Sequence, residues 1–536
     1  MRSYMWVPLL ALIGMAMPAR AAWHEVRSPH FRVYAEGATD VTRKFVSDME
    51  RFDIAARKLL GLGDNEGDDP NPLTVFMVDD VAAVARLCRG SRPADKITAA
   101  KIGKACKYVA GFYNGRASGS VAFVPRSAGQ GSPLSPNTQI ILFHEYAHHL
   151  LLGNSLAVYP AWYSEGMAEF LSNAKLDRAG EVGIGLPAVS RAYALFRQRA
   201  IPVREILTAS PSTLSPDDQG IFYSRAWLLT HYLSLGPRIR DSQLTAYLQA
   251  INKGRPNAEA AREAFGDLDQ LNKEVERYMR GRMAYLPVAV TPLPPERIRI
   301  RRLPPGEDAM MPIRLLSDRR VNDETAPKVA AEARALAAPW PSDPGAQTIL
   351  AEAEYDAGND DAAEAAADRA LGVRPNDADA MIYKALAIMH RAQAAGRRDE
   401  APWRSARNWL LKANGIENDA AWPLLLFYRS FVEQGRKPTP NAVDALERSV
   451  ALVPQDDGVR LMLVTQWVRD GKLDRAKDLL RPLAYYPHAR ANSPARRLLD
   501  AIEARGADAL SNWSMPVIEE GPIELPPEEP EPKAGK

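Results

Sequence analysis

The sequence predicts an α+β domain followed by an all-α domain of helical pairs, and three observations carry that reading. Strand-like segments crowd the chain up to Pro125, and helical spacing replaces them afterwards. A proline-rich stretch, LPVAVTPLPPERIRIRRLPP from Leu286 to Pro305, then divides the chain. Beyond it, alanine-rich helices end twice in the same way, in a proline and an acidic turn: RPNDADA at Pro375 and VPQDDGV at Pro454. A chain of 536 residues also exceeds what one core organises, for which ~250–300 residues is the usual ceiling.

The first residues, MRSYMWVPLLALIGMAMPARAAW, have the form of a signal peptide, residues 1–21. Arg2 supplies the positive end, Met5 to Met17 an uncharged apolar run, and Ala19-Arg20-Ala21 an A-x-A cleavage site. The run is shorter than the ~20 apolar residues of a membrane span. The expected product is exported, to a bacterial periplasm, with no stable membrane insertion after cleavage. An oxidising compartment favours one disulfide between Cys88 and Cys106, the only two cysteines. The 68 basic and 66 acidic side chains nearly cancel, which speaks against a nucleic-acid partner.

The domain of residues 22–286 opens with HFRVYAEG (His30 to Gly37), a strand, and a helix from Asp40 to Leu60. PLTVFMV (Pro72 to Val78) follows the turn-rich GDNEGDDPN as a second strand. KYVAGFY and SGSVAFVP are two further strands, with Asn114-Gly115 between them as a reversal signal. Pro125 marks the last of these as an edge strand, open to an added peptide at Ala122, because a central strand would miss a ladder hydrogen bond. Helices are then expected at Thr138–Gly153, Ala161–Ala174, Asp217–Leu235, Asp241–Asn252 and Asp267–Tyr285. Residues 287–324 read as a Pro-rich linker, 325–513 as helical repeats, and 514–536 as a disordered Pro/Glu-rich tail.

Of eight histidines in the chain, three fall in FHEYAHH. His144-Glu145-Tyr146-Ala147-His148 is H-E-x-x-H, which on a helix puts both imidazoles on one face, one turn apart. Glu145 lies beside that face, poised to reach a water rather than the ion. Two neutral imidazoles and one carboxylate leave a fourth position open on zinc, the arrangement of catalytic sites. Glu165 and Glu169 in YSEGMAEF lie four apart on the next helix, and either can supply the third ligand. His149 stands about 100° round the helix from His148 and cannot share the ion.

H-E-x-x-H followed by W-x-S-E-G at Trp162 to Gly166 resembles the gluzincin (peptidase MA-like) metallopeptidases. S-P-H-F at Ser28 to Phe31 and G-F-Y at Gly111 to Tyr113 extend the resemblance over roughly Trp23 to Tyr285. It implies one Zn2+ held by His144, His148 and Glu165, with Glu169 placed to orient a histidine. FYSRAWLL resembles the gluzincin helix whose tyrosine donates to the tetrahedral intermediate, and Tyr223 is the matching position. The chain departs from the aminopeptidases of that group by lacking a G-x-M-E-N segment, which favours an internal cut. Farther on, Ala363, Ala370 and Pro375, and again Ala442, Leu446 and Pro454, resemble tetratricopeptide units, and Pro487 closes another unit one ~34-residue period later.

The reading that follows is an exported zinc metallopeptidase. Glu145 is its general base, peptides or proteins are its substrates, and protein partners bind through the repeats. A catalytically inactive scaffold whose repeats carry the function is the alternative. Glu145, which an inactive relic has no metal-binding reason to keep, favours the enzyme. An amide hydrolase acting on cell-wall peptides is a third reading.

Overall fold

A computed structural model describes residues 21–63, 69, 71–90, 111–127, 138–153, 157, 159–177, 180–197, 200–209, 214–237, 240–253, 255–484 and 493–511. The architecture is mixed α+β. The expected signal peptide and the acidic tail lie outside the described residues, as do Cys106 and Pro487. Cys88 is disulfide-bonded. No helix among the described residues is long and apolar enough to cross a membrane.

The chain begins with an antiparallel pair, β1 (Trp23–Arg27) and β2 (Phe31–Glu36), then α1 (Thr39–Leu60) and β3 (Leu73–Asp80). Next come α2 (Val81–Gly90), β4 (Phe112–Asn114), β5 (Val121–Ser127), α3 (Thr138–Gly153) and α4 (Ala161–Ser172). One sheet runs in the order β4-β5-β3-β2-β1-β9, with β9 at Arg299–Arg302 and parallel pairing of β2 with β3 and of β3 with β5. Its strands alternate between two buried faces. Val33, Val75, Ala122 and Val124 meet Met49 and Phe52 of α1 and Phe143 of α3. Tyr34, Phe76 and Phe123 meet Cys88 of α2 and Met311 on the opposite side.

A three-stranded sheet follows, β6 (Lys175–Leu176), β7 (Glu181–Ile184) and β8 (Leu286–Ala289). Between β7 and β8 lie α5 (Ala192–Arg197), α6 (Val203–Ile206), α7 (Pro216–Leu235), α8 (Gln243–Asn252), α9 (Asn257–Phe265) and α10 (Leu268–Met279).

Two expectations are corrected. Residues 287–324 are not a free linker: β8 pairs with β7, β9 pairs with β1, and α11 (Pro305–Asp318) puts Met311 against the large sheet. Pro287 is tolerated because β8 is an edge strand, and Pro305 because it opens α11, where its missing N–H costs nothing. Nor is Ala122 on an open edge. It pairs with Val75 on one side and Tyr113 on the other. The short β4 ends its pairing at Phe123, so Pro125 falls where no described strand flanks that side of β5.

From Ala326 to Arg505 the described residues include ten further helices, each resting largely on its neighbours. Ala363, Ala370, Ala442 and Leu446, the repeat positions of the sequence, are all fully buried. Met310 and Ile313 of α11 belong to the first core of this array.

Candidate metal centre

The helix α3 is held from behind before it can present anything in front. Phe143 stacks on Phe52 of α1 with ring centroids 3.7 Å apart. The Tyr146 hydroxyl donates to Asp53 at 2.7 Å, and Arg57 donates to the same oxygen at 2.7 Å. Leu142, Ala147 and Leu150 complete the buried side. Tyr146, the third residue of H-E-x-x-H, therefore ties the motif to α1.

On the other side three donor atoms converge. His144 Nε2 lies 3.2 Å from His148 Nε2, and Glu165 Oε2 lies 3.5 Å from the first and 3.4 Å from the second. A tetrahedral ion with bonds of ~2.0–2.1 Å to nitrogen and oxygen sets its ligands ~3.3 Å apart. The triangle has that spacing, so the two imidazoles and the carboxylate fit the donor set expected for zinc.

The remaining ring nitrogens also have partners. His144 Nδ1 lies 3.4 Å from Glu169 Oε1, and His148 Nδ1 lies 3.4 Å from Ser164 Oγ. Such contacts fix ring orientation and leave each Nε2 facing the Glu165 carboxylate. Arg191 grips Glu169 with two donors, at 2.5 and 3.1 Å. Burial alone would push the Glu169 carboxyl up, but the Arg191 guanidinium outweighs it and holds the group below the ordinary carboxylate range. Burial would likewise depress His144, and the neighbouring Glu165 and Glu169 carboxylates reverse the shift.

Glu165 and Glu169 reach α3 because α4 presses against α7. A Cβ on Gly166 would come within 2.3 Å of Thr230 Oγ1 and 2.5 Å of the Ala226 carbonyl, so only glycine allows that approach. The sequence placed an E-G pair here without a reason for the glycine. Close contact between two helices supplies it.

Glu145 is 3% exposed and Tyr223 of α7 is 4% exposed. The Arg191 guanidinium carbon sits 5.8 Å from the centre of the Tyr223 ring, so Arg191 stands against both Glu169 and Tyr223. His149 lies off the triangle: its Nδ1 is 2.9 Å from the Tyr113 hydroxyl and its ring stacks on Tyr146. Burial pushes its pKa down to about 4. His231 bonds the Gly185 carbonyl at 2.7 Å and the Tyr278 hydroxyl at 2.9 Å, a packed core histidine.

His30, Glu50 and Asp53 form a second close group of possible ligands. Its cation is already in place, since Arg57 donates to Asp53 and His30 Nδ1 lies 2.8 Å from Glu50. Sequence reasoning missed Arg191 and Tyr113 as site-supporting residues. Arg191 lies in no motif, and Tyr113 ends the G-F-Y segment without any signal of this role; only the fold brings them to α4 and α3.

No protein-family model and no curated protein matches the sequence.

Proposed function

We propose that this chain is a gluzincin-like zinc metallopeptidase, exported and joined to tetratricopeptide-like repeats. The triangle of His144, His148 and Glu165 carries the reading, with sides of 3.2, 3.5 and 3.4 Å and each imidazole held by its other nitrogen. Zinc bound there supplies a Lewis acid and a water of lowered pKa. Burying several carboxylates together is costly, and a divalent cation among them offsets that cost.

Glu145 takes the proton from the attacking water and later returns it to the leaving amine, the task of a carboxylate beside, not on, the metal. Tyr223 donates its hydroxyl to the developing oxyanion. Glu169 and Arg191 hold His144 in place. Peptides are the substrate class, and the absence of a G-x-M-E-N segment for a free amine favours internal bonds.

Metal dependence tests this directly. Hydrolysis of a casein-type substrate should stop on treatment with a strong zinc chelator and return with about one equivalent of zinc per chain. Hydrolysis indifferent to chelation would remove the metal from the reading. Stoichiometric zinc without hydrolysis would favour the inactive scaffold.

A further inference from the structure

The turn between β4 and β5 is gripped by the helical part of the chain. Arg116 pairs with Asp318 at the end of α11 and donates to the Asp318 carbonyl at 3.1 Å. The Ala117 N–H donates to Asp456 at 2.7 Å, and Ala117 is packed into the last core of the array. Asp456 caps the helix Asp457–Arg469 by accepting from the Val459 N–H, so the grip joins a rigid element.

Next to Asp456, Gln455 reaches further. Its Nε2 donates to Ser120 Oγ at 3.2 Å. Ser120 Oγ lies 3.3 Å from the Tyr113 hydroxyl, which lies 2.9 Å from His149 Nδ1. The Tyr113 hydroxyl donates to Ser120 Oγ, which also accepts from Gln455, so contacts of hydrogen-bond length run unbroken from the Gln455 amide to the imidazole. Ser120, Tyr113 and His149 are all buried.

Two glycines flank the Gln455 side chain, and the one at Gly115 leaves it room. A Cβ on Gly115 would stand 3.1 Å from its Cγ, and one on Gly153 would stand 3.5 Å from its Oε1. Gly153 is the last residue of α3 and His149 lies one turn before it, so the Gln455 side chain stands beside the end of this helix and reaches its last turns through the relay.

We propose that Gln455 is a positioning residue for α3: through Ser120, Tyr113 and His149 it fixes the rotation of the helix that aims His144 and His148 at Glu165. The proposal rests on reading those three residues as metal ligands. A productive constellation tolerates errors of only ~0.5 Å, so a helix free to roll would spoil it. The array thus acts in cis on its own chain, and a partner that displaces Gln455 would loosen the ligands.

The test uses the full chain and the variants Gln455→Ala, Tyr113→Phe, their double, and Gln455→Glu. Two quantities are measured: zinc affinity by chelator competition, and hydrogen exchange of the α3 amides in metal-free protein. Gln455→Ala should weaken zinc binding about tenfold, the low end of the range for outer supporting residues. The double variant should be no worse than the poorer single, because both break one chain of contacts. Exchange across α3 should quicken at least about threefold in each. Gln455→Glu, whose carboxylate accepts from the Ser120 hydroxyl, should restore wild-type affinity. Unchanged zinc affinity in Gln455→Ala, with or without faster exchange, overturns the proposal, as do additive losses in the double variant. A wild-type chain that binds no zinc contradicts the metal reading itself, and this proposal with it; the pattern among the variants contradicts the proposal alone.

Discussion

Arg191 closes on Glu169 with two hydrogen bonds, of 2.5 and 3.1 Å, and Glu169 in turn faces His144 Nδ1 at 3.4 Å. The pair assigns the two glutamates of YSEGMAEF to different tasks, since Glu165 turns to the Nε2 atoms and Glu169 does not. Glu165→Ala should lose most of the bound zinc. Glu169→Ala should weaken it by ~10–100-fold, the usual loss for a group that only orients a ligand. Zinc titration of the two variants checks the order, and the reverse order would reassign the third ligand.

The glycine of the same segment makes a separate claim about packing. Gly166→Ala drives a methyl against the Ala226 carbonyl and Thr230, backbone and buried side chain that have nowhere to move. Overpacking of this kind costs ~1–3 kcal/mol, and denaturant unfolding of the metal-free protein should register a loss in that range. A loss below the precision of the measurement would mean that α4 and α7 separate more easily than their contact implies.

His30 gives the fold a dependence on pH. Burial alone would lower its pKa, yet Glu50 at 2.8 Å and Asp53 at 3.5 Å outweigh that, with Arg57 opposing, and hold it above the ordinary value of 6.5. A raised native pKa adds stability that is fully present below the unfolded value, ~6.5, and is lost as pH rises through the native value. The stability gap between wild type and His30→Asn, both metal-free, should therefore be widest near pH 5.5 and shrink at alkaline pH. A gap that widens with pH would show that His30 is neutral in the folded protein.

The boundary of the array is equally exposed to test. A fragment of residues 304–513 retains Met310 and Ile313, both fully buried in the first array core, whereas residues 325–513 lack them. Burying one such side chain is worth ~1.5–3 kcal/mol, so the longer fragment should unfold at clearly higher denaturant. Equal midpoints would return α11 to the status of linker.

What was legible in the sequence was local. H-E-x-x-H declares itself because i and i+4 share a helix face whatever the rest of the chain does, and the helix Thr138–Gly153 has the bounds expected of it. Several strands of the large sheet were visible where β-branched and aromatic residues cluster, as in Leu73–Val78, but β1, Trp23–Arg27, was not foreseen. Strands β8 and β9 were hidden by the prolines around them, which an edge strand tolerates and a sequence reader takes for a linker. Pro125 misled in the other direction. It does mark a one-sided stretch of strand, but the three residues of β4 cover Ala122 just before it. Arg191 and Gln455 had no local signal at all. Each matters only because the fold carries it to a helix far away in the chain.

The central claim is that Glu145 works on water while His144, His148 and Glu165 hold zinc. Measuring zinc content and casein hydrolysis side by side for wild type and Glu145→Gln separates those tasks in one experiment. The amide keeps the size of the side chain but cannot take the proton. The expected result is about one zinc per chain in both proteins, with hydrolysis by wild type and a loss of at least ~100-fold in the variant. Equal hydrolysis in the two zinc-loaded proteins would contradict the account.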